Sequence, residues 1–194
     1  FSLYKVFGPH QSLLYVNADV YPEMTSQAHY FNRGHPTKDF NPAGPQHAQV
    51  AACAGVLDYF DDLYQHHFGS TEKSRNAQLQ DIHQLILQHE NELGAPILDF
   101  LADRADVRLI GKPHTRDNDR APTIGFRPLK QSSGELVHKL QDAGIGTENG
   151  NFYAHRLVGD LGIDTEDGVV RLSLVHYGNQ QDVERILTAL DSAL

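Results

Sequence analysis

Cysteine is nearly absent from this chain: Cys53 is the only one in 194 residues. One thiol cannot close an internal disulfide, so the fold must stand on its apolar core, and a reducing cytoplasm is the expected compartment. Positive charge is also scarce. Sixteen Lys and Arg face 25 Asp and Glu, a net charge of −9. That balance argues against nucleic acid or an anionic membrane surface as the main partner, since both call for a basic patch. No stretch approaches the ~20 uninterrupted apolar residues of a bilayer-crossing helix. Metal ligation is not favoured either. Of the twelve histidines, the tightest groupings are His66-His67 and His83 with His89. Adjacent residues point in different directions on a helix, the second pair is spaced too widely to share a face, and no carboxylate or cysteine completes a tetrahedral set. No metal site is expected.

What is present suffices for one substantial domain or two small ones, with a hydrophobic fraction of 40% that can supply a core. The opening, Phe1 to Val16, reads as a strand, a turn at Gly8-Pro9 and a second short strand through Leu13-Leu14-Tyr15-Val16. A chain that starts with Phe inside an apparent strand is expected to continue upstream. Residues 17–46 hold Pro22, Gly34, Pro36, Pro42, Gly44 and Pro45 and read as a long irregular loop, the kind that serves a site or an interface. Cys53, Val56, Leu57, Phe60 and Tyr64 recur at helical spacing, which places Cys53 on a buried stripe, until Gly69-Ser70-Thr71 breaks the helix. A second helix is expected from about Glu72 to Leu93, ended or bent by Gly94 and Pro96 and continuing through Ile97 to Leu101.

Beyond residue 105 the rhythm alternates. Strands are expected at Val107–Ile110, Thr123–Leu129, Ile145–Thr147 and Val169–Val175, with a polar loop over 112–122. Ser132-Ser133-Gly134-Glu135 reads as a capping box for a helix that stops at Gly144. Asn151 to Leu161 reads as a helix. Asn179 caps a last one, with Val183, Ile186, Leu187, Leu190 and Leu194 as its buried stripe. The fold class is α/β or α+β around a small sheet.

Two cations stand out. Lys5 lies between Leu3 and Val6-Phe7-Gly8-Pro9, an apolar setting for an amine. Taken out of water, an amine loses basicity and becomes able to attack a carbonyl. Arg171 lies in Val169-Val170-Arg171-Leu172-Ser173-Leu174-Val175. Strand alternation puts Val170, Leu172 and Leu174 on one face and Arg171 with Ser173 on the other. Such an arginine is either a solvated edge residue or an anion clamp, whose guanidinium fork fits a carboxylate. The polar turn Thr147–Asn151 leading into Phe152-Tyr153-Ala154-His155 is a third candidate edge for binding.

Together, Ser2-Leu3-Tyr4-Lys5-Val6-Phe7-Gly8-Pro9, Gly150-Asn151-Phe152-Tyr153-Ala154-His155-Arg156-Leu157 and Val170-Arg171-Leu172-Ser173-Leu174-Val175-His176-Tyr177 resemble segments of the class V aminotransferase-fold enzymes, most of all the cysteine desulfurase-like branch. The likeness covers only the C-terminal half of such enzymes. It implies the pyridoxal 5′-phosphate (PLP) transferase fold type I, with residues 1–70 ending the PLP-binding large domain and 71–194 forming the C-terminal small α+β domain. It implies a homodimer acting on a small amino-acid substrate. Lys5 would be the Schiff-base lysine and catalytic proton shuttle, Ser2 and Tyr4 phosphate contacts, and Arg171 the clamp on the substrate α-carboxylate. Tyr4 stands where many relatives carry His. Tyr153 stands where the nucleophilic cysteine of true desulfurases would be, so the sulfur acceptor is missing. Gly44-Pro45-Gln46 stands where relatives carry a Gly-Thr reaching the partner subunit's cofactor phosphate, a contact proline cannot make through a hydroxyl or an N–H. Transamination, desulfurase-like β-elimination and epimerisation all fit these residues. A non-catalytic fold relative serving in dimerisation or binding is the alternative.

Overall fold

The structure, a computed structural model, describes residues 1–41, 43–70, 72–116 and 120–194. It forms two compact units, Phe1–Ile82 and His83–Leu194.

In the first unit the opening is not a pair of strands. Leu3–Val6 forms a 3₁₀ turn closed by Phe7 at φ 65, and only an isolated bridge joins Ser2 to Ser12. The amides of Lys5 and Gly8 bond back to Ser2 O and Leu3 O, so local turn closure wins over strand pairing, which needs a ladder partner. Three more 3₁₀ turns, at Tyr21–Glu23, Tyr30–Asn32 and Pro36–Lys38, fill the irregular segment; Pro42 lies outside the described residues. Helix α1 (His47–Ala52) and helix α2 (Ala54–Phe68) follow. Val56 and Tyr64 of the expected stripe are buried, but Leu57 is exposed, and Cys53 is half-buried at the junction, its Sγ donating to Gln49 O at 3.2 Å. Helix α2 ends at Gly69, with φ 69; Thr71 of the expected break is outside the described residues.

Helix α3 runs unbroken from Arg75 to Ala102, through Gly94 and Pro96. Proline removes one helical hydrogen bond, but Leu93, Ile97, Leu98 and Leu101 are all buried in the main core, and burial of four aliphatic side chains outweighs that loss. The second unit is built on a four-stranded antiparallel sheet in the order β1-β2-β4-β3, with β1 Val107–Ile110, β2 Thr123–Pro128, β3 Glu148–Gly150 and β4 Val169–Ser173. Of the expected loop over 112–122, residues 117–119 lie outside the described residues. Helix α4 (Ser133–Asp142) and helix α6 (Gln180–Ala193) each begin with a full capping box, from Ser132 and Glu135 and from Asn179 and Asp182. Side chains of α3, α4 and α6 cover one sheet face, where Ile124, Phe126, Val170 and Leu172 complete the core. The other face carries a small cluster of Val158, Ile163 and Val169, flanked by Ile110, Phe152 and Leu161, with Val158 from helix α5 (His155–Asp160).

Several expected boundaries move: β4 ends at Ser173 rather than Val175, and β2 at Pro128 rather than Leu129. Pairing in β3 starts at Glu148 rather than Ile145, because the Ile145 amide closes α4 on Leu140 O past Gly144 at φ 76. Helix α5 starts at His155 rather than Asn151, because Phe152 and Tyr153 adopt φ 48 and 66, outside the right-handed helical region. Gly168 is required where β4 begins: at φ 63 a Cβ there would collide with the backbone of Gly150. No described helix is long and apolar enough to cross a membrane.

Candidate active site

Lys5 sits in the Leu3–Val6 turn of the first unit and is exposed, not enclosed by the apolar neighbours that the sequence suggested. Tyr4 lies in the same turn and Ser2 immediately precedes it. Ser2 is half-buried, and the Tyr4 ring stacks on His10 with centroids 4.9 Å apart and planes 9° from parallel. Lys5 Nζ stands 6.0 Å from the Tyr4 centroid, and among the described residues no carboxylate pairs with it. Two hydroxyls and a primary amine so close in sequence are donors suited to a phosphate and an aldehyde. His10 is a member of this group that the sequence reading missed; its only signal was its position just past the Gly8-Pro9 turn.

The same unit holds an open cleft of about 690 Å³ lined in part by Phe1, Ser12, Tyr21, Phe40, Pro45 and Gln46. Asp39 accepts hydrogen bonds from the hydroxyls of Ser26 and Tyr21, which hold its carboxyl below the usual range and push the Tyr21 phenol up. These bonds fix Tyr21 at the cleft wall.

Arg171 is built into the second unit. It lies mid-strand in β4, opposite Gly125 of β2 and Glu148 of β3. Its carbonyl accepts from Thr147 Oγ1 at 2.6 Å. Its side chain is exposed on the face away from the main core, as alternation from Val170 and Leu172 requires. The guanidinium carbon lies 4.0 Å from the centroid of the Phe152 ring. Tyr153, next in sequence, is fully exposed at 105%. Among the described residues, no group of three or more His, Cys, Asp or Glu is placed to hold a metal ion.

Comparison with known proteins gives this geometry a family. The model of aminotransferase class V matches residues 68–186. The chain belongs to the aminotransferase class V family. Among curated relatives, the aminotransferase-like protein FGM3 of Gibberella zeae is 31% identical over 195 residues, covering 100% of this chain and 45% of that protein. The cysteine desulfurase-like protein ustD of Aspergillus flavus is 26% identical over 196 residues, covering 98% of this chain and 41% of that protein. The chain therefore spans less than half the length of these relatives. The fold is that of the solved cysteine desulfurase CsdA from Escherichia coli, with a TM-score of 0.57 at 21% identity, over 79% of this chain and 32% of that one. The chain forms part of the PLP-dependent transferase fold type I. Enzymes of the class V family use PLP, and the amine and hydroxyls of Lys5, Ser2 and Tyr4 are chemically apt for that group.

Proposed function

We propose that the protein is a PLP-dependent transferase or lyase acting at Cα of an amino acid. In this reading Lys5 holds the cofactor through a Schiff base, Ser2 and Tyr4 donate to its phosphate, and Arg171 grips the substrate α-carboxylate. The observation that carries the reading is the extent of the likeness. The alignment with FGM3 runs over the whole of this chain, so it takes in both Lys5 and Arg171, and the family match independently takes in Arg171. When bound, PLP supplies the sink for the electrons released as a bond to Cα breaks. The exposed Lys5 amine would hold the cofactor aldehyde and, when free, would accept and return the Cα proton. Arg171 offers parallel N–H donors to both oxygens of a carboxylate.

Transamination, β-elimination and epimerisation share this machinery. Sulfur transfer to the protein itself is disfavoured, because a phenol at Tyr153 forms no persulfide and the half-buried Cys53 thiol donates to Gln49 O. We further infer a cytoplasmic homodimer, with residues 1–70 belonging to a cofactor-binding large domain and 71–194 to a small domain. A second reading, a non-catalytic relative retained for dimerisation or binding, is favoured by Pro45, which lacks the hydroxyl and the N–H that a phosphate contact would need.

Titration of the full-length protein with PLP separates the two. The account expects visible absorption of lysine-bound cofactor that Lys5→Ala abolishes and Arg171→Gln keeps, together with exchange of amino-acid Cα protons into deuterated water that Arg171→Gln suppresses. A protein that stays colourless with added PLP contradicts the enzymatic reading. Colour without exchange of any amino acid favours the second one.

A further inference from the structure

Phe152 carries a task that neither its hydrophobicity nor its place beside Tyr153 announces. The segment Asn151–Ala154 is held in a conformation that L-residues rarely adopt, with consecutive φ values of 48 and 66 at Phe152 and Tyr153. Asn151 holds it in place. Its Oδ1 accepts from the Tyr153 amide at 3.1 Å, its carbonyl accepts from the Ala154 amide at 2.8 Å, and its Nδ2 donates to Thr165 O at 3.2 Å. The Phe152 ring packs against the cluster of Val158, Ile163 and Val169. Val169 is two positions before Arg171 on β4, so the ring is anchored on the strand face that carries the arginine, and the guanidinium lies over it at 4.0 Å.

The chemistry of that stack is specific. A cation over an aromatic face is held without using any of its N–H donors, so the in-plane fork stays available and its orientation is fixed. Two other arginines of this unit show a different use of the fork. Arg104 spends its fork on Asp106, at 2.9 and 3.1 Å, and Arg108 donates to Leu161 O at 2.8 Å. Glu148 lies directly across from Arg171 in the register, yet no ion pair joins them, and among the described residues no acceptor engages the Arg171 side chain. A flexible arginine beside a carboxylate would close on it; a stacked one stays open to an incoming anion.

We propose that Phe152 is a positioning residue for Arg171, stacking under the guanidinium so that its fork is preset for the α-carboxylate of the substrate. This rests on the reading of Arg171 as the carboxylate clamp. Uniform substrate binding is what such a residue improves, so its loss shows in KM rather than in kcat.

The test uses the full-length protein and whichever standard L-amino acid its Cα proton exchange favours. Phe152→Leu is expected to raise KM about three- to tenfold, to change kcat by less than about twofold, and to have no further effect on KM when Arg171 is already Gln. Phe152→Tyr is expected to restore the wild-type KM. Phe152→Met serves the same purpose if the leucine variant does not fold. In the protein without cofactor, the Arg171 side-chain protons are expected to show ring-current-shifted NMR signals that vanish in Phe152→Leu and return in Phe152→Tyr. If Arg171→Gln raises KM while a folded Phe152→Leu or Phe152→Met variant leaves it unchanged, the positioning role is overturned and the clamp stands. If Arg171→Gln itself leaves KM unchanged, or no amino acid is exchanged, the clamp reading falls and this proposal with it.

Discussion

The two units of this chain are built to different standards. In residues 83–194 a sheet, three helices on one face and a smaller cluster on the other enclose two apolar cores. In residues 1–82 only Val56, Tyr64 and Ile82 are buried among the described residues, and thirteen of the seventeen large exposed apolar side chains, Phe1, Leu14, Tyr15 and Phe31 among them, belong to this unit. Apolar exposure on that scale sets this unit apart from the enclosed cores of the second. The contrast teaches where each half of the proposed chemistry rests. The clamp, Arg171, stands on a strand fixed by neighbours on both sides. The amine, Lys5, stands on a single turn held by backbone bonds. Damage to the second unit should therefore appear as unfolding, and damage to the first as lost chemistry.

The largest expected effect tests that contrast directly. Residues 75–194 produced alone are expected to unfold cooperatively on heating, with coincident transitions by near- and far-ultraviolet circular dichroism, whereas residues 1–74 alone are expected to show no cooperative transition. Cooperative melting of the shorter piece would erase the distinction.

Single side chains sharpen it. Phe126 is fully buried in the main core at 0% exposure, and Phe126→Ala is expected to lower stability by about 3–5 kcal/mol. Leu14, at 68% exposure, is expected to tolerate Leu14→Ala within about 0.5 kcal/mol. Denaturant titration of both variants gives the comparison. Smaller still are the caps of the second unit: Asn179→Ala and Ser132→Ala each remove a side-chain acceptor at a helix start and are expected to lower stability by about 1 kcal/mol apiece.

The acid response of the second unit runs through Asp106. Hydrogen bonds from Arg104 and then Lys130 hold its carboxyl down at about 2, from an ordinary 3.8. A carboxylate with a depressed folded value contributes stability that is whole above the unfolded value and is lost as pH falls through the folded one. The unit is thus expected to lose stability between about pH 4 and pH 2, and Asp106→Asn to flatten that limb of the pH profile. An unchanged profile would remove Asp106 from the account.

Legibility follows locality. Where local chemistry decides, the sequence and the fold agree. Ser132 with Glu135 and Asn179 with Asp182 are complete capping boxes in the structure, and the alternation around Arg171 correctly separates Val170 and Leu172 from the exposed side. Where non-local contacts decide, the pattern misled. Gly94 and Pro96 read as an end or a bend before a helical Ile97–Leu101, and burial of the residues around them carries α3 through as one helix. Apolar residues near Phe1 read as strand, but among the described residues only an isolated bridge joins Ser2 to Ser12, and turn closure through Phe7 prevails. Phe152 and Tyr153 read as helix, and no residue type in the segment announces two positive φ values. The α/β class and the class V family were legible because three short segments carry them together. The stacking of Phe152 under Arg171 and of His10 on Tyr4 was not, since each joins side chains whose approach depends on the folded backbone.

The most direct test of the central claim is chemical trapping at Lys5. The full-length protein loaded with PLP is reduced with borohydride, digested and mapped by mass spectrometry. The account predicts a pyridoxyl group on the peptide carrying Lys5 and none on any other lysine. A modification on a different lysine, or no modification in a protein that is folded and exposed to excess cofactor, would contradict it.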